Sequence, residues 1–262
     1  MTEKAVKEAI FGIPEVDDEL GGVLPKGWAG IVSGAPGSGI ELLAKQFASF
    51  APDRVPVYYY TTMERTEDVL GALRNFGWKE NLNLVNILEE YYDQVLSRNL
   101  EVSRFREMGI SPEDISQFTM KGIEGRRVNF VTRMINDIAT LDKPFRLVVD
   151  SLDFFLEQAE PSDVISMVRQ IRYRAQRVGG RALMTLTPEV HDNRVTGTLG
   201  TIADVLLNLE VEERATKFHY AIAIEKVRNH PESTGLIRVN VGESGIASAG
   251  TEEKDKSRFS AV

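Results

Sequence analysis

One short stretch, SGAPGSGIELLAKQF at residues 33–47, limits the possible folds more than any other part of the chain. An apolar run ends at Ser33, passes through Gly34, Ala35, Pro36, Gly37, Ser38 and Gly39, and opens into a helical pattern from Leu42 onward. A glycine-rich turn between strand and helix points successive backbone N–H groups, and the positive end of the helix, at an anion. Gly34 and Gly39 stand at the spacing G-x-x-x-x-G, the frame of a phosphate-binding loop. That motif continues with Lys, which serves the β- and γ-phosphates, and Ser or Thr, which serves Mg²⁺. Here Ile40 and Glu41 occupy those places. Ile40 carries no charge, and Glu41 sets a carboxylate beside a site built for a polyanion. At ~4 Å and an effective dielectric of ~20 each unit-charge pair is worth about 4 kcal/mol, so the exchange is expected to cost several powers of ten in nucleotide affinity. An acid in the first turn also stabilises the helix locally, through its dipole. A GxxxxG alone occurs in ordinary turns, so the weight falls on its surroundings.

The chain has 262 residues, room for one large α/β domain or two small ones. Hydrophobic residues make up 42% and charged residues 27%, the balance of a globular chain. No window approaches the ~20 apolar residues of a membrane span, and MTEKAVKEAIFGI lacks the apolar run of a secretory signal. The absence of cysteine excludes disulfides and thiolate metal sites, and a cytoplasmic location is the expectation. His191, His219 and His230 show no metal-ligand spacing, so ordinary core or surface roles are expected. A net charge of −8 argues against broad nucleic-acid binding, which relies on a basic surface.

Apolar, β-rich runs alternate with helical stretches along most of the chain. Strands are predicted at residues 30–33, 57–61, 82–87, 147–150, 182–186, 205–209 and 220–224, with helices at 41–50, 66–76, 124–141 and 162–178. Strands that are apolar throughout imply a mostly parallel sheet covered by helices on both faces. The strands from Val205 onward follow one another closely and predict an antiparallel extension. Residues 89–123 break the alternation and read as a helical insertion, with Ser111, Pro112, Glu113 and Asp114 as a helix start. Residues 1–249 are expected to form one domain, and the charged segment 250–262 a disordered tail.

Several stretches together resemble one family. FGIPEVDDELGGVLPKGWAGIVSGAPGSG resembles the approach to the phosphate loop in KaiC-type ATPases of the RecA superfamily, with Gly12, Asp18, Leu20, Gly21, Gly22, Pro25 and Gly27 at matching places. The glycine run is one residue short. YYYTTMERTEDVLGALRNFGW resembles the family's second strand, acidic pair and following helix, and PFRLVVDSLDFFL its Walker B strand, with Asp150 at the metal-facing end. ALMTLTPEV, IADVLLNL and IEKVRNH resemble later segments, the last a K-x-R pair formed by Lys226 and Arg228. The resemblance runs from Phe11 to Ala247 and implies a RecA-like, three-layer α/β domain with C-terminal antiparallel strands.

In that family the acid after the second strand, usually one of a Glu-Glu pair, activates the attacking water. Here the pair is Glu64-Arg65, which leaves Glu64 as the vestigial catalytic candidate. The family's K-x-R pair acts in trans across a subunit interface, which implies that role for Lys226 and Arg228. Groups that would hold Mg-ATP or ADP in cis are thus altered at Ile40, Glu41 and Arg65, while the trans groups remain. Two readings stay open: a pseudo-ATPase kept for its surfaces, or an inactive subunit lending Lys226 and Arg228 to an active KaiC-like paralogue. Either way a protein partner or homo-oligomer is expected, no cofactor is expected, and hydrolysis by this chain alone is not. A single-stranded-DNA-binding paralogue is the alternative. Its loops would fall at residues 155–163 and 188–197, where Glu157, Glu160, Asp163, Glu189 and Asp192 oppose Arg194. Its best support is the run Arg169, Arg172, Arg174, Arg177 and Arg181, a pattern more often a solvated helix face. A weak ATPase with Lys45 as substitute lysine ranks lowest, because Lys45 lies about one turn beyond the loop.

Overall fold

A computed structural model of the chain describes residues 9–111, 129–214 and 217–249. In chain order the elements are α1 (Pro14–Gly21), β1 (Trp28–Gly34), α2 (Ile40–Ser49), β2 (Val57–Thr61), α3 (Thr66–Asn75), β3 (Asn83–Asn86) and α4 (Ile87–Glu107). There follow α5 (Phe130–Ala139), β4 (Arg146–Asp150), α6 (Leu152–Gln158), α7 (Pro161–Val178), β5 (Arg181–Leu186) and α8 (Asn193–Ile202). The chain ends in β6 (Val205–Arg214), β7 (Lys217–Val227), a short 3₁₀ turn, β8 (Gly235–Gly242) and β9 (Gly245–Ser248).

Nine strands make one sheet in the order β3-β2-β4-β5-β1-β6-β7-β8-β9. The six from β3 to β6 are parallel, and β7, β8 and β9 add antiparallel. Strand alternation divides the core in two. Val32, Val148, Leu183 and Leu207 face Leu43 and Phe47 of α2, while Ile31, Val149 and Met184 face Val164 and Ile171 of α7. Helices therefore cover both faces, and β1 lies in the middle with strands on either side.

The strands and helices predicted within described residues lie where observed elements lie, with ends shifted by a few positions. Residue 87, predicted as strand, opens α4, because the Asn86 side chain accepts from the Glu89 N–H and caps that helix. The stretch at residues 155–163, taken as a loop in the DNA-binding alternative, is instead the end of α6 and the start of α7. Residues 89–107 of the expected insertion belong to α4, whereas Pro112, Glu113 and Asp114 lie outside the described residues, as does the tail at 250–262.

Candidate functional site at the carboxyl ends of β1, β2 and β4

The Gly-rich loop leaves β1 at Gly34 and enters α2 at Ile40. Its turn needs glycine: Gly37 has φ +83° and Gly39 φ +90°, both in the left-handed region. Gly34 is required for another reason, since a Cβ there would lie 2.3 Å from Ser38 Oγ and 2.8 Å from Ile40 Cγ2. Ala35, Pro36 and Gly37 are exposed, whereas Ser38 is buried beneath them. No side chain caps the start of α2, so its first N–H groups are left to the loop mouth. Ile40 packs against the core on the α2 face, and Glu41 is exposed in the first turn.

Beside the loop stand the two acids that the sequence singled out, at the ends of neighbouring strands. Glu64 follows β2, where its backbone is fixed by the Thr61 hydroxyl and by Asn86, whose amide donates to the Glu64 carbonyl at 3.1 Å. Its carboxylate is taken by Lys45, whose side chain is only 3% exposed and whose Nζ lies 2.5 Å from Glu64 Oε1. The same Nζ is 3.5 Å from the Glu41 carbonyl. Lys45 thus points from α2 toward the end of β2. Arg65 turns to Asp68, in α3, through two bonds of 2.8 and 2.9 Å.

Asp150 ends β4 and is 3% exposed. The Tyr59 hydroxyl donates to one of its oxygens at 2.7 Å, and the Thr185 hydroxyl to the other at 2.8 Å. Burial first, then the Asp150 carboxylate and those of Glu64 and Glu41, push the Tyr59 phenol well above its ordinary value. Tyr59 therefore remains a proton donor to Asp150 at any physiological pH.

Sequence reasoning missed a second polar cluster on the same rim. Asp153, in the first turn of α6, accepts from the Ser151 hydroxyl at 2.8 Å, the Thr187 hydroxyl at 2.9 Å and the Thr187 N–H. His191 Nε2 lies 2.8 Å from its other oxygen, a structural tie that anchors the segment after β5. The spacing Ser-x-Asp at a strand–helix junction was the available signal, since Ser151 is a helix cap.

Lys226 and Arg228 are not brought to this rim. Lys226 lies on β7 and Arg228 just after it, beside the start of β6, at the opposite end of the sheet from Gly34. Lys226 Nζ donates to the carbonyls of Gly200 and Ala203 at 2.8 Å and of Thr201 at 3.1 Å. Arg228 donates to the carbonyls of Thr201, Ile202 and Ala203 and to the buried carboxylate of Asp204. Both therefore close the carboxyl end of α8, where a cation is favoured. Burial, then the neighbouring Arg228, pull the Lys226 ammonium below its ordinary value. Asp204 also holds Arg172 at 2.8 Å, and Arg174 bonds the Ala139 carbonyl. Two members of the arginine run are thus structural, while Arg169 and Arg177 are exposed.

A glycine-rich loop running from the central parallel strand into a helix, with acids at the ends of β2 and β4 in the same sheet, defines a P-loop domain of the RecA-like type. Within that class, residues 10–252 match the family described as "ATPase: KaiC", and the chain belongs to it. It is 20% identical over 253 residues to UPF0273 protein MK0039 of Methanopyrus kandleri, with 92% of each chain covered. Its fold is similar to that of the KaiC-like protein PH0186 of Pyrococcus horikoshii OT3 (TM-score 0.59, 17% identity, 93% of this chain and 99% of that one). It is also similar to the flagellar accessory protein FlaH of Methanocaldococcus jannaschii (TM-score 0.63, 17% identity, 89% and 94% covered). No described helix is long and apolar enough to cross a membrane.

Proposed function

We propose that this chain is a KaiC-like pseudo-ATPase, a non-catalytic regulatory or scaffold protein that works through protein contacts. The ion pair between Lys45 and Glu64 carries this reading. A general base must be free to accept a proton from water, and here the candidate carboxylate is bound by a buried ammonium. The neighbouring groups support the same conclusion. Both oxygens of Asp150 accept from hydroxyls, and positions 40 and 41 offer neither ammonium nor hydroxyl. These residues do not suit Mg-ATP or ADP, although the loop N–H groups suit a simple anion.

Lending Lys226 and Arg228 to an active paralogue is less well supported, because α8 would have to give up the groups that close it. Binding of single-stranded DNA loses support as well, since Arg172 and Arg174 are engaged within the chain. The deciding experiment is calorimetric titration with Mg-ATP and with ADP, on the native chain and on Ile40→Lys/Glu41→Thr. The expected result is no heat of binding for the native chain and micromolar binding by the double variant. Tight binding by the native chain would overturn the reading and bring back a nucleotide switch or a slow ATPase.

A further inference from the structure

Helix α4 is fastened along one side. Ile87 is buried, Tyr91 packs edge-on against Phe154 with ring centroids 5.4 Å apart, and Glu90 pairs with Arg133. The other side is uncovered by the described residues. Tyr92, Leu96 and Leu100 are 61%, 58% and 56% exposed. At 100° per residue these three fall within an arc of ~80°, a continuous apolar stripe more than two turns long. Scattered apolar residues on a surface are ordinary, but three in register on one helix form a face.

The charges around the stripe indicate what covers it. Glu89 is bonded to Thr66 and Glu90 to Arg133, so Asp93 is the exposed acid flanking the amino end of the stripe, while Arg104 and Arg106 lie in the last turn of α4, where Glu107 only partly offsets them. Asp93 and Arg104 share one flank, ~20° apart. A second copy laid parallel would set acid against acid. A second copy laid antiparallel sets Asp93 against Arg104, brings Leu96 against Leu100 of the other copy, and puts the helix dipoles in opposition. A surface that is its own complement after a two-fold rotation is what an isologous interface requires. We propose that α4 pairs antiparallel with the α4 of a second copy of this chain, through Tyr92, Leu96 and Leu100, with Asp93 of each copy reaching Arg104 of the other. The pairing uses no part of the glycine loop and does not depend on nucleotide.

Sedimentation of the full chain across about 1–100 μM tests this directly, with a dimer of micromolar dissociation constant expected. Leu96→Glu places like charges near the two-fold axis and is expected to weaken the dimer at least ~30-fold. Because Leu96 is exposed, circular dichroism and the melting temperature should stay at native values. Asp93→Arg and Arg104→Asp are each expected to weaken the dimer several-fold, and the two together to restore it. A monomer at every concentration would leave the stripe to some other partner and overturn the proposal. So would an assembly indifferent to Leu96→Glu, or a charge swap that fails to restore association.

Discussion

Lys45 carries a charge into a helix that is buried almost from end to end, and among the described residues Glu64 is the acid that pairs with it. Removing the acid alone leaves an ammonium with the Glu41 carbonyl at 3.5 Å as its remaining partner. Since Glu64 is 27% exposed, Glu64→Gln should cost about 2 kcal/mol, below the 3–5 of a fully buried pair. Lys45→Met/Glu64→Gln should recover most of that loss, because methionine fills the space without charge. Urea unfolding of the two singles and the double measures the coupling. Asp17 makes a different prediction. It accepts from the N–H groups of Phe11 and Gly12 at 2.7 and 2.9 Å, yet burial, the larger effect, raises its pKa above the ordinary 3.8. The folded state therefore holds this proton more tightly than the unfolded one. The stabilisation is full below the ordinary carboxyl value and is lost as pH rises through the raised one. Stability measured from pH 3 upward should accordingly fall faster in the native chain than in Asp17→Asn across that window. None of these partnerships is written in a local motif: the Lys45 and Glu64 positions are legible, but what joins them is the packing of α2 against the end of β2.

Among the elements, the parallel strands were legible because burial on both faces makes them apolar throughout, as in LVV of β4 and ALM of β5. The helix α8, NRVTGTLGTI, was not foreseen: Gly and Thr are poor helix formers, and tertiary contacts hold it instead. Thr198 and Thr201 bond back to carbonyls one turn earlier, and Lys226 and Arg228 close its carboxyl end. The strands β8 and β9 also escaped notice. β8 is exposed at most positions, so its sequence GLIRVNVG lacks the unbroken apolar pattern of its parallel neighbours. A helix held by two side chains should be sensitive to each of them. Arg228→Met is expected to cost about 2 kcal/mol and Lys226→Met about 1, from lost carbonyl capping and, for Arg228, a lost partner of buried Asp204. Arg228→Lys should recover less than half, because one ammonium cannot span both the carboxylate and three carbonyls. Chemical denaturation read by circular dichroism gives the three values.

At the scale of the whole molecule, the order of motifs from Phe11 to Ala247 made the RecA-like sheet legible, while no single motif did. A loop placed at the carboxyl end of a central strand belongs to the architecture itself, so it survives changes in the side chains that would give it chemistry. That separation of scaffold from chemistry has a thermodynamic consequence. Any ligand that binds only the folded chain raises its stability by RT ln(1 + [L]/Kd), about 2.7 kcal/mol at a hundredfold excess over Kd. For a chain of this size each kcal/mol moves the melting temperature by roughly 2–4 °C. With Mg-ADP at a hundredfold excess over its own Kd, Ile40→Lys/Glu41→Thr should melt roughly 5–10 °C higher than without it. The native chain at the same nucleotide concentration should not move. If both shift alike, the charge at position 41 does not control the site, and the groups closed by Lys45, Tyr59 and Thr185 must open to admit a nucleotide. If neither shifts, the two side chains at the loop are not the only barrier. Glu64→Gln added to the double variant would then separate the loop from the acids behind it: binding gained only with that third change would place the block at the Lys45–Glu64 pair.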